Sequence, residues 1–237
     1  MNKLLLAFTL TTFTFLTFAQ DNSKYSTDQV LFILQVKDAK TLKPMSVPME
    51  IKSESEGDSF HGKGKTDLKG QFQLNLIATG KVRIKLQEEN YMPFNEVIDF
   101  TENHYQAGDT VFKEFLMEKI DVGQLITLDQ IQFETGKSNL VPESHDQIDL
   151  LVMLMQSNPK MIIEIAGHTD NTGGTKSSQK LSEERVEEVK RVLIEKGIDK
   201  KRVKGIGYGG SKPIASNNNE EGRMKNRRVE FRIIKNE

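Results

Sequence analysis

Two hydrophobic rhythms divide this 237-residue chain. From Gln29 to Glu118 apolar and polar residues alternate with a period of two, the pattern of half-buried strands. QVLFILQVKD, VPMEIKS, FHGKGKT, GQFQLNL, KVRIKLQE, NEVIDFTE and TVFKEFLME are short segments of this kind. Turn signals separate them: DAKTLKP, ESEGD, TDLKG, ATG and ENYMP. Phe72, Leu74 and Leu76 share one face of their segment, as do Val82, Ile84 and Leu86. About seven strands at this spacing predict an all-β sandwich. No acid, histidine or nucleophile clusters there, so a structural or interaction module is expected.

After Lys119 the rhythm changes. LITLDQIQFE reads as one or two strands. VPESHDQIDLLVMLMQSNP reads as a helix, with Pro142 at its first position and Pro159 ending it. Ile148, Leu151, Val152 and Met155 follow i, i+3, i+4, i+7 spacing and make one apolar face. MIIEIA is a buried strand, and SSQKLSEERVEEVKRVLIEKG a second helix stopped by Gly197. VKGIGYG and RRVEFRII are the last strands. The order β-α-β-α-β(-β) predicts a mixed sheet with helices on one face, and with the front half an α+β chain. The expected division is residues 1–19, 20–118 and 119–237.

Residues 1–19 are set apart by MNKLLLAFTLTTFTFLTFAQ. Lys3, an uncharged run from Leu4 to Phe18 and then Ala19 read as a secretory signal peptide cut near Ala19 or Gln20. An uncleaved anchor is the other reading, but the run is shorter than a span of about 20 residues. With no cysteine after it, lipid anchoring is not expected. The chain has no cysteine at all, which excludes disulfides, thiol catalysis and cysteine-based metal sites. His61, His104, His145 and His168 lack metal-ligand spacing, so neither metal nor cofactor is expected. A net charge of −1 offers no bulk attraction for nucleic acid or for an anionic membrane. A transmembrane barrel is not expected either, with no tryptophan and four tyrosines.

The chemistry concentrates in GHTDNTGG, residues 167–174, straight after MIIEIA. On the second helix, with Leu181 at 0°, Val192, Val189, Leu193 and Val186 fall between about 20° and 140°. Arg185 falls at about 40°, inside that apolar stripe, while Glu183, Glu184, Glu187 and Glu188 fall outside it. A cation among core positions needs a partner. It can snorkel to the rim, pair with Glu164 or Asp170 as a structural bridge, or line a pocket with Asp170. Ligands bind where strand ends meet helix beginnings. An anion, a cation and backbone donors gathered there would suit a zwitterionic amino-acid group, its ammonium on Asp170 and its carboxylate on Arg185.

IQFETGKSNL, NPKMIIEIAGHTDNTG, LSEERVEEV, the GI of Gly197–Ile198, GYG, the P-x-A-S of Pro213–Ser216 and GRMKNRRVEFRI occur in order between Val122 and Lys235. This run resembles the OmpA-like C-terminal domain of Gram-negative envelope proteins. The resemblance implies non-covalent peptidoglycan binding through diaminopimelate of the stem peptide. It places the ligand-holding aspartate and arginine on Asp170 and Arg185. Thr169, Asn171, Thr172, Gly173, Ser178 and Arg227 are expected to support them, and His168 to orient the loop. Two positions depart from the family pattern. Ser178 stands where asparagine is usual, which carries an expectation of weaker binding, and Val186 stands where alanine is usual. For Arg223, Asn226, Arg227 and Arg228, fastening the last strand and touching the ligand stay open as alternatives.

VKDAKTLKPM, TDLKGQFQLNL and EENYMPF resemble the carboxypeptidase regulatory-like or transthyretin-like sandwich. That resemblance implies a spacer or a docking surface, with an outer-membrane protein as a candidate partner. The expectation is a non-catalytic periplasmic protein that binds peptidoglycan and tethers an envelope partner. An envelope hydrolase is the alternative from another class, but no G-x-S-x-G or Ser-His-Asp arrangement supports it. Glu134 and Asp170 are available carboxylates, yet an aspartate beside an arginine stays ionised, which is wrong for a general acid. A structural subunit with a decayed site is the third reading.

Overall fold

A computed structural model of the chain describes residues 29–54, 61–77, 80–101, 105–127, 131–134 and 136–236. The expected signal peptide, His104 and part of the ESEGD and ATG turns lie outside the described residues.

The alternating segments of the front half are strands: β1 (Gln29–Asp38), β2 (Pro48–Ser53), β3 (His61–Lys65), β4 (Gln71–Ile77), β5 (Lys81–Leu86), β6 (Phe94–Asp99) and β7 (Thr110–Met117). They form a three-stranded sheet, β4-β1-β7, and a four-stranded sheet, β3-β2-β5-β6. β1 runs antiparallel to β4 and parallel to β7. Period-two alternation puts Val30, Phe32, Leu34 and Val36 of β1 on one face, all fully buried. Met49, Ile51, Val82, Ile84 and Leu86 of the other sheet share one core with them. Phe32 meets Phe100 edge-on with ring centroids 5.6 Å apart. Truncating such a residue leaves a cavity, so Phe32→Ala is expected to cost about 3–5 kcal/mol.

The second half has its own core. β8 (Leu125–Thr127), β9 (Ile162–His168), β10 (Val203–Gly209) and β11 (Val229–Lys235) form a sheet in the order β10-β9-β11-β8. β9 and β10 are parallel, and β11 is antiparallel to β9 and β8, so the sheet is mixed as expected. α1 (His145–Ser157) and α2 (Thr175–Glu195) pack on one face, over Ile163, Ile165, Val229, Phe231 and Ile233. Pro142 opens a 3-10 turn, Pro142–Ser144, rather than α1 itself. Ser144 Oγ both accepts from Gln132 N and donates to Gln132 O, each at 2.9 Å, which ties that turn to the preceding segment. Gly197, at φ +93°, ends α2 in the left-handed region that favours glycine. Among its described residues, LITLDQIQFE supplies the three residues of β8 and a bridge from Phe133 to Leu140.

A third helix, α3 (Glu220–Asn226), was not expected. Its signal lies in N-N-N-E-E. Asn219 caps it by accepting from Gly222 N at 2.8 Å, and Glu220 and Glu221 supply first-turn acids.

Polar contacts join the halves. Asn90 N donates to Asn158 Oδ1 at 2.8 Å, Ile120 N to Asn90 O at 2.9 Å, and Asn236 Nδ2 to Asn90 Oδ1 at 2.7 Å. Arg83 reaches Asp146 across the junction at 3.3 Å. Met92 of the front half packs against the second core.

Candidate functional site

Helix α2 lies unusually close to the sheet. A side-chain carbon on Gly167 would sit 2.7 Å from Ser182 O, and one on Gly207 would sit 2.6 Å from Glu183 N. Glycine at these two positions lets α2 descend over the carboxyl ends of β9 and β10. The loop 169–174 leaving β9 is thereby pressed against the start of α2.

That loop is fixed from several sides. His168 N donates to Arg228 O and Thr169 N to Gly209 O, both at 3.0 Å. Thr169 Oγ1 donates to Asp170 O at 2.9 Å. Thr172 turns back on Asp170, its backbone N–H and its hydroxyl both donating to Asp170 Oδ1. Thr169, Asp170 and Ser178 are buried.

Asp170 Oδ2 accepts from Arg227 Nη1 at 2.7 Å. Arg227 Nη2 in turn reaches Glu220 Oε1 at 2.7 Å. Burial alone would raise the Asp170 carboxyl, but bonds from Thr172 and Arg227 outweigh it and hold its pKa below the usual value. Asp170 is therefore an ionised carboxylate at neutral pH. Arg227 is presented by the end of α3, which Asn226 secures. Asn226 is fully buried, accepts from Ile214 N and Ala215 N, and donates to Ala215 O. Arg223 pairs with Glu220 and donates to Asn217 O, fastening the same segment.

Arg185 behaves differently. It is buried, at 9% exposure, as its place in the apolar stripe of α2 predicts. Its Nε donates to Lys137 O at 3.1 Å, and its guanidinium carbon lies 4.8 Å from the Phe133 ring centroid. It forms no ion pair with Asp170 or Glu164 within 4 Å, and none with any other carboxylate among the described residues. Of the alternatives open to Arg185, the structural bridge to Glu164 or Asp170 is therefore not formed. The counter-charge of Asp170 is Arg227, 57 positions along the chain. Burial and the nearby Arg227 cation both lower the Arg185 pKa, and Asp170 offsets part of this.

Asp170, Arg185 and Arg227 border one cleft of about 980 Å³, together with Thr169, Thr172, Gly173, Ser178, Phe133, Glu220 and Met224. Of the expected supporting residues, only Asn171 does not line it, and it is exposed. The arrangement offers the fixed anion Asp170 beside the cations Arg185 and Arg227 and the aromatic wall of Phe133, with Lys180, Glu184 and Glu220 also on its border. Among the described residues the one hydroxyl bonded to the Asp170 carboxylate, that of Thr172, belongs to a turn.

Arg228, next in sequence to Arg227, takes the opposite course. On β11, Val229 and Phe231 face the helices, so Glu230 faces away from them. Arg228 Nε donates to Glu230 Oε1 at 2.5 Å, and both residues are buried. His168 is also buried, stacks on Tyr208 at 5.3 Å, and lies 3.5 Å from Glu230 Oε2. Burial first, and then the Arg228 cation, push its pKa down to about 4 against the pull of Glu230. Sequence reasoning placed His168 in the loop; the structure makes it part of a buried cluster on the far face of the sheet.

Residues 132–227 match the OmpA family. The chain is 39% identical over 113 residues to outer membrane porin F of Pseudomonas fluorescens, covering 47% of this chain and 35% of that protein. It is 33% identical over 106 residues to the peptidoglycan-binding protein ArfA of Mycobacterium bovis, covering 45% of this chain and 32% of that protein. It thus spans about a third of the length of each of these relatives. Among solved structures, the periplasmic domain of Helicobacter pylori MotB matches 49% of this chain and 76% of its own, at 28% identity and a TM-score of 0.43. Residues 132–227 of this chain are an OmpA family domain.

Proposed function

We propose that this chain is a non-catalytic envelope protein that binds peptidoglycan through the cleft of its OmpA family domain. The guest is the free amino-acid end of diaminopimelate in the stem peptide. Its ammonium meets Asp170, and its carboxylate meets Arg185, with Thr172, Ser178 and Arg227 around them. One observation carries the reading. Arg185 is a buried cation with no carboxylate partner among the described residues, and it borders the same cleft as the ionised Asp170. A buried charge left without a counter-ion is costly unless something supplies one. A ligand carboxylate does so, and a charge-assisted bond to arginine is strong and directional. The relative named a peptidoglycan-binding protein supports the same assignment.

The remaining parts of the reading follow from the sequence. Residues 1–19 act as a cleaved signal peptide, placing residues 20–118 and 119–237 in the periplasm. The two-sheet front half belongs with carboxypeptidase regulatory-like modules and docks an outer-membrane partner. No helix among the described residues is long and apolar enough to cross a membrane.

Sedimentation with purified peptidoglycan tests the proposal, with melting temperature measured alongside. Asp170→Asn keeps the shape of the side chain and removes the anion. It is expected to stay folded and to lose about 2–5 kcal/mol of binding, roughly 30- to 4,000-fold. A folded Asp170→Asn protein that sediments like the parent would remove Asp170 from the site.

A further inference from the structure

The two outer faces of the front half carry very different charge. β5 alternates lysine or arginine with apolar residues, so Lys81, Arg83 and Lys85 point away from the core that holds Val82, Ile84 and Leu86. The pairing register aligns Lys52 with Arg83 and with His61, Glu50 with Lys85 and with Lys63, and Pro48 with Lys65. The outer face of the β3-β2-β5-β6 sheet therefore collects six cations, Lys52, Lys63, Lys65, Lys81, Arg83 and Lys85. Two carboxylates share that face with them, Glu50 and Asp99, while Glu96 pairs with Ile84 and belongs to the other face. Asp99 pairs with Lys81 at 2.7 Å, and Glu50 with His61 at 2.7 Å and with Lys63 at 3.9 Å. Arg83 turns aside to Glu54 and Asp146. Lys52, Lys65 and Lys85 have no acidic partner among the described residues.

The opposite sheet is the internal control. Its outer face presents Leu31, Ile33, Gln35, Gln73, Asn75, Ile77, Thr110, Phe112 and Leu116, with one paired Lys37 and Glu114. The whole chain carries −1, so the cationic face is a local concentration and not a reflection of bulk charge. Solvated surfaces ordinarily intersperse both signs.

We propose that the outer face of the β3-β2-β5-β6 sheet docks on an anionic lipid membrane surface. Strands about 4.8 Å apart, with outward residues about 7 Å apart along each strand, spread the unpaired Lys52, Lys65 and Lys85 over one face of the sheet, with Arg83 turned towards Asp146 at its junction side. A plane of lipid phosphates matches that face in shape and sign. Among the described residues the face has no Phe, Tyr or Trp on which a nucleobase could stack, which separates it from single-stranded nucleic-acid platforms. The assignment is independent of the peptidoglycan cleft, which lies in the other half.

Vesicle co-sedimentation tests it, using the chain from residue 20 onward, which keeps every described residue. Phosphatidylcholine vesicles with and without phosphatidylglycerol are compared at low and physiological salt. Binding is expected only to the anionic vesicles and is expected to weaken with salt. Each lysine near such a surface contributes roughly a fivefold gain, so Lys52→Gln/Lys65→Gln/Lys85→Gln should weaken binding by about 100-fold. Gln73→Glu/Asn75→Asp/Thr110→Glu changes net charge by the same amount on the opposite sheet and should retain most of it. All six positions are on the surface, and unchanged peptidoglycan sedimentation checks that the second half is intact. The proposal is overturned if the parent ignores anionic vesicles or if the two triple variants lose binding equally. It is also overturned if the chain binds soluble polyphosphate but no vesicle.

Discussion

The two faces of the β10-β9-β11-β8 sheet each bury charged groups, and they handle them in opposite ways. On the far face Arg228 and Glu230 pair with each other, with His168 beside them. The Arg228–Glu230 pair satisfies its own charges, although both ring nitrogens of His168 lack a hydrogen-bond partner among the described residues and the group borders a separate cavity of about 270 Å³. On the helix side Asp170 is served by Arg227 and Thr172, while Arg185 keeps its guanidinium toward an open cleft with no carboxylate partner among the described residues. Two arginines of similar burial, Arg185 at 9% and Arg228 at 8%, thus differ in whether the protein completes their electrostatics. Burial of a charge by itself does not mark a binding site. A buried charge with no counter-charge beside an open cleft, as at Arg185, does.

The comparison breaks most visibly at Glu230. Glu230→Ala strands Arg228 in a buried position, and removing one partner of such a pair typically costs about 3–5 kcal/mol. Urea unfolding should show that loss, while protein that remains folded should bind peptidoglycan as before. A Glu230→Ala protein of parental stability would mean that buried Arg228 does not depend on Glu230 for its counter-charge.

Arg185→Ala should show the reverse. Stability is expected to change by no more than about 1 kcal/mol, because no ion pair is broken and a desolvated cation is removed. Binding is expected to fall by about 2–5 kcal/mol. Unfolding in urea and peptidoglycan sedimentation, measured on the same sample, separate the two quantities. A large stability loss with unchanged binding of the folded fraction would make Arg185 structural.

The smallest effect concerns pH. The pKa of His168 is lowered from 6.5 to about 4, so the unfolded chain binds the extra proton first. Neutral His168 therefore favours the folded state above about pH 6.5, and that contribution is lost as pH falls from about 6.5 towards 4. One proton limits the slope to about 1.4 kcal/mol per pH unit. His168→Gln should flatten the stability profile in that window and leave it unchanged above pH 7. An identical profile in the variant would assign acid sensitivity to other groups.

Local periodicity made much of this molecule legible. Alternation in QVLFILQVKD and KVRIKLQE located β1 and β5, and the helical wheel put Arg185 in a buried stripe before any contact was known. Partnerships across long separations were not legible in the same way. Asp170 meets Arg227 only because α3 carries the chain back over the loop, and α3 itself is seven residues long, too short for a periodic signal. Its cap and first-turn acids were the available clue. The adjacent arginines Arg227 and Arg228 look equivalent in sequence. Arg227 is the cap residue that ends α3, whereas Arg228 leads into β11 and reaches round to Glu230.

Titration calorimetry of the chain with free diaminopimelate and with cadaverine tests the central claim most directly. Cadaverine keeps both ammonium groups and lacks both carboxylates. The account predicts saturable one-site binding of diaminopimelate, no measurable heat from cadaverine, and loss of the diaminopimelate signal in folded Arg185→Ala. Equal binding of the two ligands, or an undiminished diaminopimelate signal in Arg185→Ala, would contradict the claim that the unpaired arginine is completed by a ligand carboxylate.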